Sequence, residues 1–476
     1  MTHFVGRKEE MEGLRALMEK RSASLAVIKG RRRIGKSRLG EEFSRFFQQA
    51  FFFSGLPPTK GIMAQHQRDE FQRKMHHYRI PSLGSQDWGD LFEAVAQKCH
   101  AGRILVVFDE ISWMGMKDPT FLGKLKTVWD NDFKKNQKLI LILSGSQSTW
   151  IEKNILSSSG FVGRISYILT LEELSLPECN QFWFKQKLLV SAYEKLKILN
   201  ITGGVPRYLE EIQPQKTAEE NIKHLCFRPE GFLFNEFEQI FSDLFSKRSD
   251  KYKKIVGLLC EKKASIEVIA KVLGRKKGGD ISHCLDDLCK TGFITRDYTW
   301  DIKTASPSKL SRYRLSDNYV RFYLKYIEPA KKKILRGAAG ELPSSWLSIM
   351  GLQFENLVLG RKNRPLLFKR LGIASHEVLW SDPYFQTKAG AREGCQIDFL
   401  IQTKFNTLYL CEIKFHGRPV QKEVVRQVED KIRRLQIPRG FSVRPVLIHV
   451  NGVDDSVLES DFFSNIIDFS TLLSAY

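Results

Sequence analysis

The run Leu25-Ala26-Val27-Ile28 leads directly into Gly30-Arg31-Arg32-Arg33-Ile34-Gly35-Lys36-Ser37, and an amphipathic stretch follows from Ser37 to Phe47. Few short patterns constrain a fold so tightly. A Gly-x-x-x-x-Gly-Lys-Ser octad between a buried strand and a helix is a phosphate-binding loop. Its glycines let backbone N–H groups wrap phosphate oxygens, and the helix N-terminus adds a favourable dipole. Lys36 is placed to reach β- and γ-phosphates, and Ser37 to hold Mg²⁺. Gly30, Arg33, Gly35, Lys36 and Ser37 are therefore the candidate nucleotide-binding residues, with ATP and Mg²⁺ as the expected cofactors. The competing reading, a glycine turn before an ordinary helix, leaves the strand–loop–helix order to coincidence.

Further buried strands follow. Phe51-Phe52-Phe53-Ser54 is one candidate. Arg103-Ile104-Leu105-Val106-Val107-Phe108 ends in Asp109-Glu110, and Lys138–Leu143 ends in Ser144-Gly145-Ser146. A helix-length segment, 118–134, separates the last two. Strands alternating with helices predict an α/β domain with a mostly parallel sheet and its ligands at the carboxyl ends of the strands. Asp109 would orient Mg²⁺, often through water, and Glu110 would polarise the attacking water. The bland alternative is a pair of solvated carboxylates at a strand end. Ser144 either senses the γ-phosphate or positions water, or it makes a plain polar turn.

The whole chain bounds these readings. Its 476 residues suffice for two to four domains, and 42% hydrophobic content is that of a globular protein. No apolar run approaches the ~20 residues of a membrane span. The N-terminal Met-Thr-His-Phe-Val-Gly-Arg lacks a signal-peptide core. The eight cysteines are scattered without a Cys-x-x-Cys; Cys284 and Cys289, the closest pair, read as buried thiols rather than zinc ligands. Cytoplasm is the expected compartment. The net charge of +21 gathers at 31–33, 275–277, 331–333 and 361–370. Such an excess favours polyanions through counterion release, so DNA leads the partner classes. A basic surface that serves solubility is the other reading.

At this point the residues resemble a known family. Phe4-Val5-Gly6-Arg7-Lys8-Glu9-Glu10 looks like the Phe-x-Gly-Arg-x-x-Glu box of archaeal-type ATPases, P-loop proteins related to the AAA+ and STAND groups. In that family the box packs near the adenine. The arginines before Gly35 also match the family's loop. Gly163-Arg164, before the candidate strand 165–171, is similar in place to an arginine-finger region. Gly203-Gly204-Val205-Pro206-Arg207-Tyr208-Leu209 looks like the Gly-Gly-x-Pro motif of the helical lid, which would make Arg207 a second sensor. For each arginine a structural role stands beside the functional one: a salt bridge for Arg164, lid packing for Arg207. Whether Arg164 would act in a neighbouring subunit, and so whether the chain self-associates, is open.

The middle of the chain carries amphipathic stretches at 252–260, 265–273 and 281–290, then a polar hairpin-like tract ending at Tyr313-Arg314-Leu315. That order resembles a winged helix. Asp280, Asp286 and Asp287 would repel phosphates from its third helix, while Arg275, Lys276 and Lys277 would offset them. A protein-contact role and a DNA-reading role both stand. Ser316-Asp317-Asn318-Tyr319-Val320-Arg321-Phe322-Tyr323 matches a family segment to which no chemistry attaches. Lys331-Lys332-Lys333 and 337–340 read as a linker.

A second constellation lies in the last quarter. Gln396-Ile397-Asp398-Phe399-Leu400-Ile401 alternates as a half-buried strand, and Leu408-Tyr409-Leu410-Cys411-Glu412-Ile413-Lys414 forms another after a turn at 404–407. Paired as a hairpin, they bring Asp398 and Glu412 to one end, with Glu412 and Lys414 on one face. Two carboxylates can hold Mg²⁺ or Mn²⁺, and a lysine can stabilise or deprotonate the attacking water. The pattern resembles the PD-(D/E)xK nuclease fold. Glu355 looks like that fold's first-helix glutamate, and Gln427 like its helical glutamine. Ile397 replaces the family's proline. An isolated Glu-x-Lys is more often a salt-bridged strand pair; the other residues argue against that here.

The expected architecture is thus a P-loop ATPase core (1–172), a helical lid (173–245), a winged-helix domain (246–330) and a restriction-endonuclease-like α/β domain (331–476). The expected catalytic residues are Glu110 and Arg164 in the ATPase, and Glu355, Asp398, Glu412 and Lys414 in the nuclease-like domain. Metal would sit at Ser37 and Asp109, and at Asp398 and Glu412. Arg207 completes the nucleotide-binding set. The expected function is ATP binding and hydrolysis coupled to a metal-dependent nuclease acting on DNA. The alternative is a STAND-like switch that binds DNA or protein without cutting; an ATP-driven motor is a weaker third.

Overall fold

The computed structural model describes residues 4–474 except 60, 82–86, 147, 187, 246–248, 275–277, 338–340, 389, 391 and 392. The basic run at 275–277 and most of the glycine tract at 337–340 therefore lie outside the described residues. The chain divides into two compact units: Met1–Glu172 with Gln239–Lys247, and Glu173–Glu238 with Arg248–Tyr476.

The first unit is a parallel sheet flanked by helices. Its strands are β1 (Ser24–Lys29), β2 (Gln49–Ser54), β3 (Ile104–Asp109), β4 (Leu139–Gly145) and β5 (Ile165–Thr170), in the order β2-β3-β4-β1-β5. Every pairing is parallel. The central strands are apolar along their length because helices cover both faces. The helices are α1 (Lys8–Ala16), α2 (Lys36–Ser44), α3 (Ala64–His77), α4 (Trp88–Lys98) and α5 (Phe121–Asn131). On one face Phe53, Phe71, Trp88, Phe92, Phe108 and Phe121 form an aromatic core. On the other, Leu39 and Phe43 of α2 pack on Ile28, Val107 and Ile142. This double cover fixes where α2 begins, and hence the loop before it.

The second unit includes helices α6 (Ala192–Thr202), α7 (Ala218–Cys226) and α8 (Phe232–Phe245), whose residues from Gln239 onward belong to the first unit. Gly203-Gly204 earns its composition: a Cβ on Gly204 would lie 2.5 Å from the Leu174 carbonyl oxygen, and Gly203 has φ 58°. Next come α9 (Ser249–Glu261), α10 (Ile266–Val272), α11 (Gly279–Lys290) and the antiparallel hairpin β6 (Ile294–Asp301)–β7 (Ser306–Leu315). Lys331–Lys333 is not a linker: it lies in a helix over Glu328–Leu335, because the expectation counted charge and overlooked the helix-forming sequence around it.

The last part contains α12 (Met350–Val358), β8 (Val378–Gln386), β9 (Cys395–Thr403), β10 (Thr407–Phe415), α13 (Glu423–Arg434), β11 (Ser442–Val450) and β12 (Asn465–Asp468). The sheet order is β12-β11-β10-β9-β8. β8, β9 and β10 are antiparallel, whereas β10, β11 and β12 are parallel. Val424, Val425 and Val428 of α13 share a core with Leu400, Leu410 and Leu447 on one sheet face. On the other, Phe354 of α12 meets Phe415 at 5.2 Å between ring centroids.

The β6–β7 hairpin is tied to this sheet. Trp300 stacks on Trp380 at 5.1 Å and 7°. Its indole N–H donates to Gln402 Oε1, and Gln402 Nε2 donates to the Ile302 carbonyl. Among the described residues, all cysteines are free thiols and no helix is long and apolar enough to cross a membrane.

Candidate functional site

At the first site the octad folds as its spacing requires. β1 ends at Lys29, Gly30 turns with φ 155°, and Gly35 caps α2 with φ 92°. A Cβ on Gly30 would lie 2.6 Å from the Leu171 carbonyl oxygen, so only glycine fits. Arg33 also takes a left-handed conformation, at φ 67°. The Lys36 ammonium is buried and donates to the carbonyls of Gly30 (3.0 Å) and Arg31 (3.1 Å). Burial pushes its pKa down, against the pull of Glu110 and Asp109. Arg7 braces the loop from beneath, donating to the Ile34 carbonyl at 2.9 Å and pairing with Glu10.

The carboxylates at the end of β3 reach this loop. Ser37 Oγ donates to Asp109 Oδ2 at 2.6 Å, which joins the two expected Mg²⁺ ligands. Glu110 has φ 49°, a strained setting for a residue with a side chain. Its Oε2 accepts from Ser146 N (3.0 Å) and Ser146 Oγ (2.8 Å) at the end of β4. Ser146, which the sequence reading passed over, thus holds the candidate base. Ser144 Oγ is buried without a partner among the described residues. A glycine cradle, a satisfied lysine and a Ser–Asp pair form a donor set that fits a nucleotide phosphate with Mg²⁺.

The two candidate arginines are placed otherwise. Arg164 makes a two-pronged ion pair with Asp130 of α5, its Nη2 at 2.7 Å, where Lys126 also binds. That is the salt-bridge reading of Arg164; no described contact joins it to the loop. Arg207 pairs with Glu210 (3.2 Å) and Glu211 (2.6 Å) and lies 4.5 Å over the Phe232 ring. All three of these partners lie within its own unit.

The second site gathers on β9, β10 and α13. Asp398 accepts from the Ile413 N–H at 3.2 Å, which fixes it beside Glu412. Lys414 Nζ binds Glu412 Oε1 and Gln427 Oε1, each at 2.9 Å. Lys431, one turn beyond Gln427, places its ammonium 2.5 Å from Glu412 Oε2 and 3.5 Å from Asp398 Oδ1. The sequence reading missed Lys431; its one signal was the four-residue step from Gln427, which puts both on one helix face. Burial, and then the charge of Glu412, push the Asp398 carboxyl up to about 6. Burial likewise raises the Cys411 thiol, which makes it a packing group.

Glu355 does not join the other two carboxylates directly. It is ion-paired at 3.3 Å with Lys263, in the connection between α9 and α10, although its charge still reaches Asp398. Among the described residues no group of three His, Cys, Asp or Glu side chains is close enough to hold a metal ion. The donor set that does converge is the Asp398–Glu412 pair, and these two carboxylates already share a cation, the Lys431 ammonium. Such a pair suits a hard divalent ion in chemistry and charge.

Asp280 pairs with Lys251 at 2.7 Å, and Asp287 accepts from the Tyr252 hydroxyl at 2.6 Å, so two of the acids on α11 are met by partners. Arg314 of β7 pairs with Asp297 and also binds Asn356, next to Glu355 on α12.

Residues 4–212 match the model of an ATPase domain predominantly from Archaea. An uncharacterised protein of Methanocaldococcus jannaschii is 25% identical over 383 residues, 78% of this chain and 81% of that protein. Among solved structures, the Walker-type ATPase of Pyrococcus abyssi is similar with a TM-score of 0.50 and 18% identity, over 68% of this chain and 96% of that one. The ORC2 protein of Aeropyrum pernix, solved in ADPNP–ADP complexes, is similar at a TM-score of 0.41 and 15% identity, over 71% and 96%. Residues 4–212 are thus similar to an ATPase domain, on a parallel α/β fold shared with the Pyrococcus protein.

Proposed function

We propose that the chain hydrolyses ATP at its phosphate loop and uses nucleotide state to govern a metal-dependent nuclease-like domain acting on DNA. Lys36 and the loop amides bind the phosphates, with Arg33 beside them. Ser37 and Asp109 hold Mg²⁺, and Glu110 activates water once Ser146 releases it. Arg207 would contact nucleotide from the lid. Arg164 would serve as a finger only by leaving Asp130.

In the C-terminal domain, Asp398 and Glu412 would take Mg²⁺ or Mn²⁺, with Lys414 beside the attacking water and Glu355 assisting. The observation that carries this reading is the Asp398–Glu412–Lys414–Gln427 row, assembled from two antiparallel strands and the following helix. The segment 249–315, three helices and a hairpin, supports a winged helix. Its hairpin is packed on the Trp380 and Gln402 region, which favours a protein-contact role for that hairpin. The net charge of +21 supports a polyanionic partner.

A second reading is a nucleotide switch that binds DNA or protein without cleavage; the lysine between the two carboxylates favours it. Cleavage of linear, supercoiled, branched and single-stranded DNA in Mg²⁺ and Mn²⁺, with and without ATP, separates the two. Cutting that disappears in Asp398→Ala is the expected result. No cutting on any substrate by protein that binds ATP would establish the switch instead.

A further inference from the structure

The Asp398–Glu412 pair has an occupant from the chain itself. Lys431 Nζ stands 2.5 Å from one carboxylate and 3.5 Å from the other. Glu412, whose side chain is 4% exposed, has both oxygens committed: one to Lys431, one to Lys414. A divalent ion ligated by both carboxylates needs oxygens at about 2.1 Å. That volume is where the ammonium lies. Metal and ammonium cannot share it, both sterically and because two cations so close repel. Lys414 is differently held, because Gln427 gives it a partner to the side of the pair.

We propose that Lys431 is a tethered counterion that occupies the divalent-cation position and must leave before metal enters. The inference rests on the reading that Asp398 and Glu412 take a divalent ion. The lysine is suited to exchange. It is on the rim of α13 with its side chain 24% exposed, and four flexible carbons let it swing into solvent. Its charge offsets two nearly buried carboxylates while no metal is present. A nucleic-acid phosphate at the mouth of the site would offer the displaced ammonium a new partner. Lys431 is thus a positioning and gating residue.

The test is Mn²⁺ binding to the nucleotide-free full chain, followed by electron paramagnetic resonance and by the metal-induced shift in thermal unfolding. Wild type, Lys431→Met and Lys431→Met/Asp398→Asn are compared. Lys431→Gln serves as the second single variant, since its amide keeps hydrogen bonds to the carboxylates without charge. The expected result is at least tenfold tighter Mn²⁺ binding in Lys431→Met, lost again in the double variant. Unfolding of Lys431→Met should then be raised by Mn²⁺ more than that of wild type. Equal affinity in wild type and both single variants, with binding still abolished in Lys431→Met/Asp398→Asn, overturns the gate and leaves the metal site standing. Asp398-independent binding in every variant overturns both.

Discussion

The two sites hold their lysines in opposite ways. Lys36 is satisfied by main-chain carbonyls of its own loop, whereas Lys414 and Lys431 are satisfied by the carboxylates they would serve. The first site is main-chain architecture within eight residues. The second is a balance of side-chain charges drawn from β9, β10 and α13. A main-chain cradle survives loss of its lysine as a fold, though not as a binding site. In a charge balance, loss of one member shifts stability together with chemistry, in the direction set by the charges it leaves behind.

The sharpest way to break this comparison is Lys36→Ala. It should lower ATP turnover on the order of 10³-fold through lost charge stabilisation at the phosphates, with little change in unfolding temperature. Tight nucleotide binding by that variant in calorimetric titration would sink the site assignment. Glu412→Ala is the counterpart at the second site. It leaves two ammoniums short of a partner and should cost about 2–4 kcal/mol in denaturant unfolding.

The third prediction concerns pH. Asp398 titrates near 6 in the folded protein, against about 3.9 in an unfolded chain. Between these values the folded state keeps a proton that the unfolded chain has released, so stability falls as pH rises from about 4 to 6. Asp398→Asn should flatten that slope and stabilise the protein at pH 7 by roughly 1–2 kcal/mol, with little difference below pH 4. A steeper slope in the variant would contradict the assignment.

Two smaller effects sharpen the first site. Ser146→Ala frees one of the bonds on Glu110 and should change kcat for ATP by about two- to fivefold while leaving KM alone. Arg164→Ala should leave ATP turnover within about twofold if its pairing with Asp130 is its role. A loss beyond tenfold, with unfolding unchanged, would restore the finger reading.

Legibility followed the same division. The loop, the Asp109-Glu110 strand end and the Gly-Gly-Val-Pro turn were readable because each is fixed by neighbours in sequence. The hairpin pairing that sets Asp398 beside Glu412 was readable too, since alternation and a short turn set register. Gln427 was placed from the resemblance, but Lys431 was not, because nothing local distinguishes it from the other basic residues of α13. Glu355 was expected at the carboxylate pair and instead meets Lys263. A charged side chain pairs with whichever opposite charge the folded chain brings near it, and here the α9–α10 connection brought Lys263 to Glu355. Arg164 met Asp130 for the same reason.

What the sequence by itself determined was therefore the backbone chemistry. It set glycines where a Cβ would strike a carbonyl, strands that end in carboxylates, and a hairpin register. Only the tertiary structure decided which charges neutralise which, Lys431 between Asp398 and Glu412, Lys263 on Glu355 and Arg164 on Asp130, and that Ser146 donates to Glu110. Main-chain conformation is set by sterics over a few residues. The partner of a long charged side chain depends on the summed field of elements far apart in sequence, and those meet only after the chain has folded.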